Sequence, residues 1–155
     1  MTPAVEAAKR AGIRFELHEY GGVEVGEGDY ALAVAHALGR PAGQLFKTLV
    51  ASVDGRLGVF VVPADRQLDL RAAGKRVTIA DRAAAERATG YVVGGISPLG
   101  QRRRLPTTVD ESALDWATVL VSAGRRGLQI ELSPHDLVAL TGAAVKRIAR
   151  VHSTE

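Results

Sequence analysis

Asp54-Gly55 separates two strand-like apolar runs, residues 45–53 (LFKTLVASV) and 56–64 (RLGVFVVPA). Asp-Gly between such runs favours a tight two-residue turn with positive φ, so the segment is expected to form an antiparallel hairpin. A second hairpin is expected where residues 118–122 and 128–132 flank Ala123-Gly124-Arg125-Arg126-Gly127. Ile13, Phe15 and Leu17 alternate with Arg14, Glu16 and His18, the period of a half-buried strand. Val77-Thr78-Ile79 reads as one more short strand.

Helical signals are scattered among these strands. Thr2-Pro3 opens a helix that stops at Gly12, and Asp29 is expected to cap one over 30–38. Residues 68–74 form a short helix, Asp81 caps another that ends at Gly90, and Ser133-Pro134-His135-Asp136 opens the last. Strands and helices mix without regular βαβ alternation. The expected fold is therefore α+β, built on a mixed, largely antiparallel sheet.

At 155 residues, with 46% apolar and 24% charged residues, the chain suits one globular domain over 1–155. No apolar run approaches the roughly 18–20 residues that cross a bilayer, and the N-terminus has no charged-then-apolar leader pattern. These features predict a cytoplasmic protein without a membrane partner. The absence of cysteine removes disulfides, thiolate metal sites and a cysteine nucleophile.

Lys47 is the first chemical candidate. Alternation places it on the face of Leu45 and Leu49. It either snorkels at a solvated edge or directs an ammonium into a pocket, as a donor to an oxygen or as a base. The loop Gly94-Gly95-Ile96-Ser97-Pro98-Leu99-Gly100 is the second. Its backbone N–H groups can surround an anion or carbonyl oxygen, or it is a structural turn. Ser97 and Ser122 lie in no G-x-S-x-G elbow, and His18, His36, His135 and His152 form no local triad pattern, so structural roles are favoured. No zinc spacing occurs, so no metal and no cofactor are expected.

A net charge of +3 names no partner by itself. Basic clusters at Arg102-Arg103-Arg104 and Arg125-Arg126 border the two glycine-containing loops. If those loops meet, the rim of their site is cationic, as a phosphate-backbone partner requires.

Phe46-Lys47-Thr48-Leu49, the segment Thr89 to Gln101, and Ser122-Ala123-Gly124-Arg125-Arg126-Gly127-Leu128 together resemble the YbaK/EbsC family of Cys-tRNA(Pro) deacylases, relatives of the editing domain inserted in some prolyl-tRNA synthetases. The resemblance runs from Thr2-Pro3 to about Arg150. It implies a barrel-like central sheet and a trans-editing enzyme that clears mischarged aminoacyl-tRNA. Lys47 is then the catalytic residue. Gly94, Gly95, Ile96, Ser97, Pro98 and Gly100 line the aminoacyl pocket, with Tyr20, Ser122 and Gly124 at further pocket positions. Arg102, Arg103, Arg104, Arg125 and Arg126 are candidate tRNA contacts, and prolyl-tRNA synthetase is a possible partner in a ternary complex. The family chemistry needs no protein nucleophile, because the substrate's cysteine thiol attacks its own ester; attack by water is the other route. The resemblance also leaves open an Ala-tRNA(Pro) deacylase, or a non-catalytic tRNA- or synthetase-binding module of the same fold. The family commonly has a histidine after the Tyr20 position and an aromatic residue before the glycine matching Gly28. Gly21-Gly22 and Glu27 occupy that region here, so one pocket wall is expected to differ.

Overall fold

In the computed structural model, which describes residues 1–23 and 29–151, the hairpin at Asp54-Gly55 forms as expected. β2 (Phe46–Val53) pairs with β3 (Arg56–Pro63) from Phe46 opposite Pro63 to Val53 opposite Arg56. Asp54 and Gly55 take φ values of 52° and 85°, the left-handed pair that a tight hairpin turn needs. The second hairpin, β7 (Val119–Ser122) and β8 (Leu128–Leu132), adds β1 (Phe15–Glu19) to its far edge in the order β1-β8-β7. Glu27, Gly28 and His152 lie outside the described residues.

Several strands had no signal of their own. β6 (Thr107–Asp110) lies parallel to β3, and β9 (Ala144–Lys146) lies parallel to β6. β4 (Arg66–Leu68) pairs with β10 (Ala149–Val151). Buried Asp110 ties this C-terminal segment to β6: its Oδ1 accepts from the N–H groups of Ile148 and Ala149, both at 2.9 Å. Most pairings are antiparallel, as expected. No pairing among the described residues joins the outer strands β1 and β9, so the sheet does not close into a barrel.

The β2 edge positions the site. A single parallel bridge, Leu45 to Leu120, joins β2 to β7. Further along the same edge, β2 pairs with β5 (Val77–Ile79), starting at Ala51 opposite Ile79. Between these two neighbours no strand among the described residues pairs with the edge.

Helices begin and end largely where their caps require. Thr2 Oγ1 accepts from the Val5 N–H at the start of α1 (Pro3–Ala11), and Gly12 closes it with φ 69°. α3 (Leu70–Ala73) is a single turn capped by Asp69. Asp81 caps α4 (Arg82–Thr89), and Ser133 caps α5 (Pro134–Thr141) by accepting from the Asp136 N–H. The expected Asp29 cap is corrected: Asp29 precedes α2 (Tyr30–Ala37) but forms no side-chain cap bond.

The main core packs Phe46, Val59 and Val61 of the first hairpin against Val121 and Ile130 of the second, with Val5 of α1 and Leu99. A smaller cluster under α2 joins Val34 and Ala35 to Leu45 and Leu120. Phe60, Val62, Leu68 and Ile148 form a third cluster, against which Leu49 packs. Lys47 therefore stands on a sheet face occupied on either side by buried apolar residues.

Candidate active site

The open interval in the β2 edge forms a cavity of about 510 Å³, lined by α2, β2, the start of α4 and the glycine loop. Lys47, Gly94, Ile96 and Ser122 all line it. Alternation does place Lys47 with Leu45 and Leu49, and all three line this cavity. Burial lowers the pKa of Lys47, while the carboxylates of Asp29 and Asp65 act in the opposite sense. Among the described residues Lys47 has no ion-pair partner within 4 Å. Its ammonium is thus available to a ligand oxygen.

Ladder parity defines the edge more closely. The Ala64 N–H reaches Leu45 O at 2.8 Å, and the Ala80 N–H reaches Val50 O from the opposite side at 2.9 Å. Antiparallel bonding alternates along a strand, so Thr48, with the parity of Val50, directs its N–H and C=O away from β3 and toward the gap. The Oγ1 of Thr48 is also buried without a partner among the described residues.

The glycine loop and the Gly124–Gly127 hairpin loop meet. Arg126 donates from Nε and Nη2 to Val93 O at 3.0 and 2.8 Å. On the other side of that residue, the Val93 N–H donates to Glu86 Oε2 at 2.7 Å. This bond is the main reason the Glu86 carboxyl is held below its usual range. Val93 and Gly94 are thus presented to the cavity by a bracket from α4 and the β7–β8 loop. A Cβ on Gly95 would stand 2.7 Å from Arg125 Cα, so only glycine allows the two loops to approach this closely.

Other expected pocket residues serve different purposes. Ser97 is fully buried, and its Oγ accepts from the Leu99 N–H at 3.1 Å. Gly100 faces α1, where an added Cβ would meet Pro3 O at 2.5 Å. Gly124 packs against Tyr91 and Thr2. Tyr91 holds the loop from behind, donating to Leu99 O at 2.6 Å, and burial pushes its phenol up to about 12. Ser97, Gly100 and Gly124 thus make framework contacts and are not among the residues that line this cavity. Gly95 and Pro98 also lie outside the cavity lining.

Tyr20 does not line the cavity, but its hydroxyl lies 2.8 Å from that of Tyr30, which does. Burial, then the bond to Tyr20, raises the Tyr30 phenol above its ordinary value. Tyr30, which the sequence did not single out, supplies an aromatic wall to the cavity. Arg82 is a second missed wall residue, paired with Glu86 at 3.3 Å. Gln129, in the same wall, is only 5% exposed, and its Oε1 is unpartnered among the described residues.

The cationic rim is narrower than the basic clusters suggested. Arg126 is committed to Val93, and Arg125 lies 4.0 Å from Glu19. Arg102, Arg103 and Arg104 are exposed and form no ion pair among the described residues. Arg104 lies against Gly142 beyond the end of α5. Elsewhere, Glu16, His18 and Glu131 bring potential metal-ligand atoms within 4.8 Å of one another. Glu131 is already engaged by Arg40, Thr118 and His18. No helix among the described residues is long and apolar enough to cross a membrane.

Comparisons with known proteins agree on one neighbourhood. A family model described as the aminoacyl-tRNA editing domain matches residues 27–140. EbsC of Enterococcus faecalis, whose name proposes a Cys-tRNA(Pro)/Cys-tRNA(Cys) deacylase, is 38% identical over 125 residues, 76% of each chain. Among solved structures, a proposed trans-editing enzyme for prolyl-tRNA synthetase superposes with a TM-score of 0.82 at 26% identity, covering 97% of this chain and 99% of the other. A hypothetical protein superposes with a TM-score of 0.84 at 27% identity, covering 96% and 99%.

Proposed function

The chain belongs to the aminoacyl-tRNA editing domain family, and from that premise we propose that it is a trans-editing deacylase that cleaves the ester of mischarged tRNA, with Cys-tRNA(Pro) as its substrate. The observation that carries this reading is the Lys47 ammonium, half-buried on an apolar face, without an ion-pair partner among the described residues and open to a cavity of about 510 Å³. Residues 1–155 act as one deacylase domain in the cytoplasm, where charged tRNA is made and used. Prolyl-tRNA synthetase is the proposed partner for tRNA selection.

The chemistry begins when the substrate's thiol sulfur adds to its own ester carbonyl carbon. A C–S bond forms and the carbonyl electrons move to oxygen. Collapse breaks the bond to the ribose oxygen, which takes the thiol proton, leaving free tRNA and a cyclic thiolactone. Holding sulfur and carbonyl together is an orientation effect that can contribute several kcal/mol, about 7 or more in favourable cases. Lys47 and the Gly94 N–H stabilise the oxyanion as it develops, since the N–H groups of Val93 and Gly95 are taken by Glu86 and by Val92 O. Removing one such donor typically costs about 2.7–4 kcal/mol.

The test is a deacylation panel with Cys, Ala, Ser and Pro on tRNA(Pro) and Cys on tRNA(Cys). Cysteine should leave tRNA(Pro) fastest, with thiolactone as product, and Lys47→Ala should slow release at least tenfold. Undiminished release by Lys47→Ala would remove Lys47 from the mechanism. Failure to cleave any ester would reject the activity itself.

A further inference from the structure

Gln129 occupies the middle of the β1-β8-β7 sheet, opposite His18 on one side and Ser122 on the other. Leu45 bridges to Leu120, and Lys47 and Ser122 each lie two residues further along, so they share a face. Ser122 is paired with Gln129. Lys47, Ser122 and Gln129 therefore form a transverse row over three strands, and all three line the cavity.

The row has chemical polarity. Lys47 places a cationic donor at one end. At the other, Gln129 is 5% exposed and its Oε1 has no hydrogen-bond partner among the described residues. A buried acceptor left unpaired is unfavourable, and native proteins seldom retain one without a use. An aminoacyl ester has the complementary polarity: an acceptor on its carbonyl carbon and a cationic donor on the adjacent carbon. The thiol is a weak donor and cannot replace an ammonium at a buried amide oxygen. Apolar residues Val34, Leu45 and Ile96 occupy other parts of the wall and suit a small side chain.

We propose that Gln129 receives the α-ammonium of the aminoacyl group on its Oε1, with the ester carbonyl turned toward Lys47. This rests on the deacylase reading and adds a specificity-determining residue to it. The site then recognises a primary α-amino ester, whatever small side chain it carries. Correctly charged proline fits less well, because its secondary ammonium has one N–H fewer and is enclosed by the ring.

The test compares tRNA(Pro) carrying cysteine or alanine, whichever the wild type cleaves faster, with the same tRNA carrying the α-hydroxy counterpart, in which a hydroxyl replaces the ammonium. The wild type should prefer the amino ester by at least tenfold in kcat/KM. Gln129→Leu, close in size, should lower kcat/KM at least tenfold for the amino ester and less than threefold for the hydroxy ester. Gln129→Glu, whose carboxylate can only accept, should retain the preference. Equal slowing of both esters in Gln129→Leu would overturn the assignment. So would loss of activity in Gln129→Glu, since the amide N–H end would then be the one used. Loss of the preference in Asp29→Asn but not in Gln129→Leu would move the ammonium to the carboxylate at the rim. A wild type that cleaves amino esters with an unchanged ratio in Gln129→Leu defeats this inference alone; one that cleaves neither ester defeats the deacylase reading, and this inference with it.

Discussion

Between Leu45 and Leu49, Lys47 carries its charge on a face that its neighbours keep apolar, directly opposite fully buried Val62. Burial lowers its pKa from the ordinary 10.5, so the folded state binds that proton less readily than the unfolded chain. In the window between the two values the unfolded state holds more protons, and stability rises with pH. Below that window the charged lysine lowers stability. Lys47→Met should therefore raise stability by on the order of 1 kcal/mol while deacylation falls. Thermal denaturation checks both parts: the wild-type Tm should climb as alkaline pH removes the charge, whereas the Lys47→Met curve should lack that rise. Lys47 was conspicuous in the sequence because a cation interrupts an apolar alternation. Gln129 was not, since residues 128–132 read only as the second strand of a hairpin. In the fold, Gln129 is buried against the cavity and the Glu131 side chain is 11% exposed.

Glu131 joins elements that are far apart in the chain. Its carboxylate accepts two bonds from Arg40 after α2, at 2.9 and 3.0 Å, and one from Thr118 before β7 at 2.6 Å. His18 of β1 lies 2.7 Å away. Burial alone would raise its pKa, but the bonds from Arg40, Thr118 and His18 hold it at about 2. A carboxylate depressed in the folded state contributes stability above its unfolded pKa and loses it as pH falls through the folded value. Wild-type stability should therefore decline from about pH 4.5 toward 2. Glu131→Gln should be less stable at pH 7 by about 2 kcal/mol, the scale of a hydrogen bond to a charged group, and should lose much of that acid limb. Urea midpoints measured across this pH range decide it. The two hairpins and the main helix caps were legible because each is written in a few adjacent residues, such as Asp54-Gly55 or Ser133-Pro134. β6, β9 and β10 were not. They are three or four residues long, and β6 and β9 make parallel pairings that no local turn announces. Tyr30 escaped notice for a related reason: α2 accounts for it as a helical residue, and only packing turns it toward the cavity.

Across the whole molecule, the modest charge of +3 is divided between internal and external tasks. Arg126 braces Val93, so Arg126→Ala should act mainly on kcat by loosening the glycine loop. Arg103 is exposed and unpaired among the described residues. Arg103→Ala should leave kcat intact, weaken tRNA binding and reduce the slope of log affinity against log salt by about one. A binding titration over several salt concentrations separates these two classes of arginine. The interrupted edge of β2 has a consequence of its own. From the Leu45–Leu120 bridge to the Ala51–Ile79 pair, the sheet lacks a neighbour at its centre rather than at its margin. Any occupant there would supply the missing rung, and the Thr48 amide would cease to trade its hydrogen freely with solvent. Slowed deuterium uptake at Thr48 would then report occupancy even with an ester analogue that the protein cannot turn over, and would divide capture from turnover in every variant.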